Sequence, residues 1–205
     1  MARDRQATEE KILQAVGRIL AEQGFHNFGI NAVARQAHVD KVLIYRYFGG
    51  MPELLRAYAE KGSYWPTIEE VAGDNPEGFG RMPVPEAVAT LLCNFSRAVR
   101  KRPVTLEILA WEAIERNELA KVLEKVRKDF TKQLYRAIAG SRGRPTGDMA
   151  AIVTLLTAAI NYLAVRSRKV GKYGAVNIRS EEGWRRLESA IRMISGRCIV
   201  SQESM

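Results

Sequence analysis

Two short helical patterns separated by one break constrain this chain more than any other feature. In Gly29–Phe48, GINAVARQAHVDKVLIYRYF, the residues Ile30, Val33, Ala34 and Ala37 recur at three and four positions, the spacing of one helix face. This predicts a helix over roughly 30–36, with Gly29 as its N-cap. The pattern stops at Ala37-His38-Val39. So tight a turn calls for a residue at positive φ, and His tolerates that better than most non-glycine residues. Asp40 is placed to cap a second helix, because its carboxylate can accept from the free amides of the next turn. That helix is predicted over about 41–47, with Ile44 and Phe48 inward. Lys41, Val42, Leu43, Tyr45, Arg46 and Tyr47 are left outward.

That outward set crowds two tyrosines, an arginine and a lysine onto one short helix with few carboxylates nearby. It suits the major groove of DNA, where N-terminal side chains meet base edges while cations and hydroxyls meet phosphates. Periodicity alone fits a surface helix with scattered aromatics equally well. The segment resembles the helix-turn-helix of the TetR family of transcriptional regulators, whose usual run is close to T-V-x-x-I-A-x-x-A-G-V-S-x-G-T-L-Y-x-Y-F-x-S-K-E-x-L. Here it reads I-N-A-V-A-R-Q-A-H-V-D-K-V-L-I-Y-R-Y-F-G-G-M-P-E-L-L. Tyr45-Arg46-Tyr47-Phe48 followed by Glu53-Leu54-Leu55 is the specific part. The resemblance covers about the first 60 residues by motif and the remainder by architecture. His38 stands for a usual Gly, Asp40 for Ser, Val42-Leu43 for Gly-Thr, and Met51 for a Lys that often touches phosphate. An operator unlike the common family ones is therefore expected, with one backbone contact fewer.

The chain of 205 residues is 46% apolar, with mixed charge, as a globular protein requires. No unbroken apolar run reaches about 18 residues, so no membrane span or membrane partner is expected. The first residues, MARDRQATEEK, have no hydrophobic core and do not read as a signal peptide. Cys93 and Cys198 stand apart, which fits free thiols in a reducing cytoplasm and offers no metal site. The net charge is +9, but residues 1–48 carry seven Lys/Arg against five Asp/Glu, and residues 140–205 eleven against five. The cationic excess thus lies far from the reading helix along the chain, and global charge aids only non-specific attraction to DNA.

A first helix is predicted from Ala7 to about Gln23, with the stripe Ile12, Leu13, Val16, Ile19, Leu20. Thr8-Glu9-Glu10 suits its N-terminus and Gly24 its stop. Phe25 and Phe28 are candidate plugs of the small core. Ahead of it, Arg3 and Arg5 form either a frayed terminus or a basic arm that reaches phosphates or a minor groove. A fourth helix starts at Pro52, and in TetR-like proteins it joins the DNA-binding and regulatory parts. Residues 73–85 read as a mobile Gly/Pro-rich loop. Further helical patterns lie over 86–101, 104–116, 118–139, 148–168 and 181–199. The basic connector Arg166–Gly174 reads as a solvated loop. No strand signal is present. The expected fold is all-α with about nine helices: a helix-turn-helix domain over 1–50 and a helical regulatory and dimerisation domain over 51–205.

No nucleophile elbow, P-loop, zinc-protease or dinucleotide motif is present, so no enzyme and no cofactor is expected. Glu107 and Glu112 are the one carboxylate pair that could do acid–base work, and pairing with Lys101, Arg102 or Lys125 is the simpler reading. The resemblance implies a homodimer on a roughly palindromic operator, repressing until a small effector binds. Dimer residues would be Ile152, Leu156, Ile160, Leu163, Trp184, Leu187, Ile191 and Ile194. Candidate effector contacts are Phe95, Trp111, Glu112, Phe130, Asn161 and Tyr162. An unpaired Glu112 would favour a cationic ligand. The alternative is a binding or scaffold protein of the same fold that lost operator specificity, against which the intact Tyr45-Arg46-Tyr47 cluster speaks.

Overall fold

The computed structural model describes residues 2–24, 27–61, 64–113, 118–139 and 147–199. It is helical nearly throughout: α1 (Ala2–Glu22), α2 (Ile30–Ala37), α3 (Lys41–Phe48), α4 (Met51–Glu60), α5 (Ile68–Ala72), α6 (Pro76–Arg81), α7 (Val84–Arg100), α8 (Pro103–Glu112), α9 (Glu118–Ala139), α10 (Gly147–Ser167) and α11 (Glu181–Cys198). The all-α expectation holds, with eleven described helices in place of nine. A short antiparallel pair, β1 (Lys172–Tyr173) and β2 (Val176–Asn177), adds an unforeseen hairpin between α10 and α11. Two-residue strands are too short to show a period of two, and Gly174 supplies the positive φ of 56° that a two-residue turn needs.

The chain forms two compact units, Met1–Trp65 with Arg102–Lys128, and Pro66–Lys101 with Asp129–Met205. In the first unit α1 packs on α2, α4 and α8. Ile12, Val16, Val33, Ile44, Leu54, Leu55 and Ile108 are fully buried there. The predicted stripe of α1 is this core face. Its start differs, however. The helix begins at Ala2, and Thr8 lies inside it, its hydroxyl donating to the Asp4 carbonyl at 2.8 Å. Phe28 is half-buried, and Phe25 lies outside the described residues.

In the second unit α7 is the central element, with α5, α10 and α11 packed on it. Its buried face includes Val88, Leu91, Leu92, Phe95 and Val99. Arg97 clamps Glu188 of α11 through both carboxylate oxygens, the Nε bond at 2.9 Å. Glu188 is 7% exposed, and a carboxylate so placed requires a counter-ion. The predicted loop 73–85 contains α6. Asn75 caps it, accepting from Gly78 N–H at 2.9 Å, and Phe79 is buried at 6% exposure. One buried aromatic and one cap outweigh the Gly and Pro content here.

Over Met149–Ser167, α10 is long and apolar enough by composition to cross a membrane, with mean hydropathy 1.6 and 22% of that stretch buried. One such helix is weak evidence for a span, because length and composition alone admit it. Thr154, Thr157, Asn161 and Tyr162 interrupt the run without adding charge.

Candidate nucleic-acid interface

The turn between α2 and α3 rests on backbone conformation. His38 sits at φ 53°, ψ 47°, the one non-glycine residue at positive φ among those described. Its N–H donates to the Arg35 carbonyl at 3.2 Å, and Val39 N–H donates to that of Ala34 at 3.0 Å. These bonds satisfy carbonyls that the end of α2 would otherwise leave open. Asp40 is extended, and its Oδ1 accepts from Val42 N–H at 2.8 Å. Gly49, at φ 92°, closes α3 by donating to the Tyr45 carbonyl at 2.8 Å. Both the positive φ at His38 and the Asp40 cap agree with the sequence reading.

The helix α3 buries one side chain, Ile44. Phe48, expected inward, is half-buried, as are Leu43 and Tyr47. Val42 is 62% and Tyr45 53% exposed, and Lys41 and Arg46 are exposed beside them. An open concavity at the turn is lined by Asn31, Ala34, Arg35, His38, Val39, Asp40 and Lys41. Asn31 and Arg35 are exposed on α2 and escaped the sequence reading. Their spacing of four, on the face opposite Val33 and Ala37, was the available signal.

The supposed N-terminal arm is helix. The Arg5 guanidinium lies over the Tyr47 ring, 5.1 Å from its centroid. Its Nε also donates to Glu9 Oε1 at 2.8 Å. The Arg5–Glu9 spacing of four is that of a helical ion pair. Arg5 therefore orients a tyrosine of the outward set through a cation–π contact. Arg3 belongs to α1, and its side chain lies outside the described residues.

Other predicted residues distribute between the units. In the first, Trp111 is buried at 9% exposure. Glu112 Oε2 is bound by Arg127, which lies over the Trp65 ring at 5.8 Å. Burial lowers the Arg127 pKa from its ordinary value. Glu112 is thus paired, by a cation two residues beyond the offered Lys125, and the premise for a cationic ligand falls. Its Oε1 is buried with no hydrogen-bond partner. Glu107 approaches the other end of the unit's first helix, where a Cβ on Gly24 would lie 2.6 Å from its Oε1. Glu112 thus has Arg127 as its ion-pair partner, while Glu107 Oε1 lies against the Gly24 backbone.

In the second unit the Phe95 and Phe130 rings lie tilted by 30°, 5.8 Å between centroids. Asn161 Oδ1 is buried without a hydrogen-bond partner. Tyr162 points outward, 50% exposed, edge-on to Tyr173 at 5.6 Å. Of the predicted dimer residues, Ile160, Trp184 and Ile191 are buried within the unit. Ile152, Leu156, Leu163 and Leu187 are half-buried, and Ile194 is exposed. The outward apolar side chains are instead Leu155 at 71%, Tyr162, and Met193 at 52%.

Residues 12–58 match the family model of bacterial regulatory proteins of the tetR family. No curated protein matches the sequence. The fold is shared with solved regulators of low sequence identity. A TetR transcriptional regulator from Rhodococcus sp. RHA1 is 18% identical, with TM-score 0.59 over 98% of this chain and 100% of its own. The regulator FadR from Bacillus subtilis, solved in complex with stearoyl-CoA, is 14% identical, with TM-score 0.61 over 93% of this chain and 99% of its own. HlyIIR, a hemolysin II transcriptional regulator, is 16% identical, with TM-score 0.60 over 91% of this chain and 97% of its own.

The left-handed turn generates a test. At φ 53° a side chain costs on the order of 1 kcal/mol that glycine does not. His38→Gly should hold or raise the unfolding free energy, while the β-branched His38→Val should lower it by about 1–2 kcal/mol. Urea denaturation of both variants measures the pair, and equal stability of the two would remove the assigned role of the turn.

Proposed function

We propose that this chain is a cytoplasmic, homodimeric, sequence-specific DNA-binding transcriptional regulator that represses from a roughly palindromic operator until a small ligand releases it. The observation that carries the reading is α3 itself. It is capped at both ends and anchored by Ile44. It offers Lys41, Val42, Tyr45 and Arg46 to solvent, with Tyr47 held by Arg5. Cations and tyrosine hydroxyls are phosphate donors, while Arg can address guanine and Val42 or Leu43 thymine methyls. The match over residues 12–58 supports the same assignment. Such a regulator acts by binding and needs no catalytic step.

Dimerisation draws support from the outward face of α10 and α11. Leu155, Tyr162, Met193 and Ile194 are exposed large apolar side chains on two helices in contact, and exposed apolar surface of this kind favours an interface. Two copies related by a two-fold axis would set their reading helices about one DNA turn apart. A dimer would also cover the poorly buried apolar length of α10. Ligand release requires an effector with different affinities for the two states. Support comes from the FadR neighbour, solved with stearoyl-CoA, and from the buried Asn161 acceptor without a partner. A buried acceptor of this kind calls for an explanation, and a donor on an apolar-bodied ligand supplies one. A thermal-shift series with amphiphiles of either charge checks this, and the absence of any stabilisation would dismiss the effector.

Gel shifts against the DNA upstream of the gene test the main reading. Tyr47→Ala should weaken binding to all sequences alike by about 1–3 kcal/mol, while Leu43→Ala should change the preference between sequences. Unaltered operator binding by both variants would refute the groove assignment. For the dimer, Leu155→Glu with Met193→Glu should yield a monomer in sedimentation and poor operator binding. A wild-type protein that is monomeric at micromolar concentration would eliminate the interface.

A further inference from the structure

The hairpin between α10 and α11 combines two properties that reading helix and apolar face leave unused: strong positive charge and a rigid backbone. Residues 166–179 carry five Lys/Arg and no Asp/Glu. Arg166, Lys169 and Lys172 are exposed, as are the turn residues Gly174 and Ala175. A loop with this composition is ordinarily a solvated tether, but here the backbone is stapled at four points. Arg179 donates from Nε to the Ser167 carbonyl at 3.0 Å and from Nη2 to that of Arg168 at 3.1 Å. Trp184 Nε1 donates to the Ile178 carbonyl at 2.7 Å, and Ile178 is 1% exposed. Gly183, in the first turn of α11, receives the Asn177 carbonyl in the space where any Cβ would overlap it.

This construction separates roles among the cations. Arg179 is consumed by the backbone, and Arg186 donates toward the Ala175 carbonyl at 3.4 Å. Glu181, one of only two carboxylates between 166 and 186, is bound by Arg100. Arg166, Lys169 and Lys172 remain on a surface whose ordering entropy is already spent in folding, which favours binding. Beside them Tyr173 is 47% exposed, with its ring seated on Tyr162.

We propose that this hairpin is a second nucleic-acid contact, a pre-shaped cationic tip that binds the phosphates of duplex DNA without regard to sequence. Lysine, arginine and tyrosine hydroxyl are the donors that phosphate backbones recruit. The chemistry disfavours other polyanionic partners. Insertion at a lipid surface calls for leucine, phenylalanine or tryptophan, and Tyr173 is the one exposed large hydrophobic residue between 166 and 186. The core of a protein interface is depleted in lysine and needs a buried anchor. The contact is separate from α3 and does not require α3 to read sequence.

The test uses the full chain carrying Arg166→Gln, Lys169→Gln and Lys172→Gln, which leaves Arg179 and Gly183 in place. Binding to a random-sequence duplex is measured across a salt series, in wild type and in a background with Arg46→Ala and Tyr47→Ala. Each lost phosphate contact lowers the slope of log affinity against log salt by about 0.9, so the triple variant should reduce it by about 2–3 in both backgrounds. Any preference between sequences should stay as it was. Loss of sequence preference in the Arg46/Tyr47 background alone bears on the reading helix and leaves the hairpin result standing. An unchanged slope in both backgrounds overturns the proposal. So does a variant that loses binding to phosphatidylserine vesicles or polyglutamate while keeping its DNA slope.

Discussion

The burial of Ile44 is the interaction on which the proposed DNA-facing surface depends. An isolated eight-residue helix is not stable in water, because nucleation costs more than so few hydrogen bonds return. The helix α3 persists because Ile44 is withdrawn fully from solvent and because both ends are capped, by Asp40 and by Gly49. One inward residue fixes the rotation of the helix about its axis. Every other side chain then takes its direction from the 3.6-residue period. The left-handed His38 sets where that axis points after α2. Exposure of Val42, Tyr45 and Arg46 is therefore a consequence of packing and turn geometry together.

A comparable logic governs the second unit, with α7 in place of α1 as the organising helix. Its buried face holds α5, α10 and α11, and the Arg97–Glu188 pair settles the charge that this packing draws inward. Glu188 is desolvated while Arg97 stays half exposed, so removing Arg97 would leave the buried carboxylate without its counter-ion, a costly change. The pair ties α11 to α7. Leu155 and Tyr162 of α10 and Met193 of α11 face outward, so α10 keeps an apolar side exposed among the described residues.

Much of this was legible in the residues. The boundaries of α2, α3 and α9, the positive φ at His38, the Asp40 cap and the apolar stripe of α1 all follow from local chemistry. These are interactions between neighbours three or four apart, which a sequence displays directly. The failures are non-local. The helix α6 appears where Gly and Pro predict a loop, because Phe79 finds a buried site no local pattern announces. Arg5 belongs to neither expected alternative, frayed terminus or arm, but sits in helix, paired with Glu9 and over the Tyr47 ring. Glu112 takes Arg127, fifteen positions away, and so loses the charge that suggested a cationic ligand. Tyr162 leaves the expected interior for Tyr173 of an unforeseen hairpin.

The division follows from the range of the forces involved. By itself the amino-acid order determined an all-α fold class, the two helices and turn of the candidate DNA-reading motif, and the inward Ile44 of α3. Periodicity, capping and left-handed tolerance act within one or two turns of backbone. Only the tertiary structure decided which apolar residues of α10 and α11 are core and which face outward. Ile160, Trp184 and Ile191 read as interface by hydrophobicity, yet burial against their own unit claims them. Hydrophobic burial is non-directional, so a stripe of apolar residues states that something will cover it without stating what. The choice between covering by the same chain and exposure to another is made by packing alone.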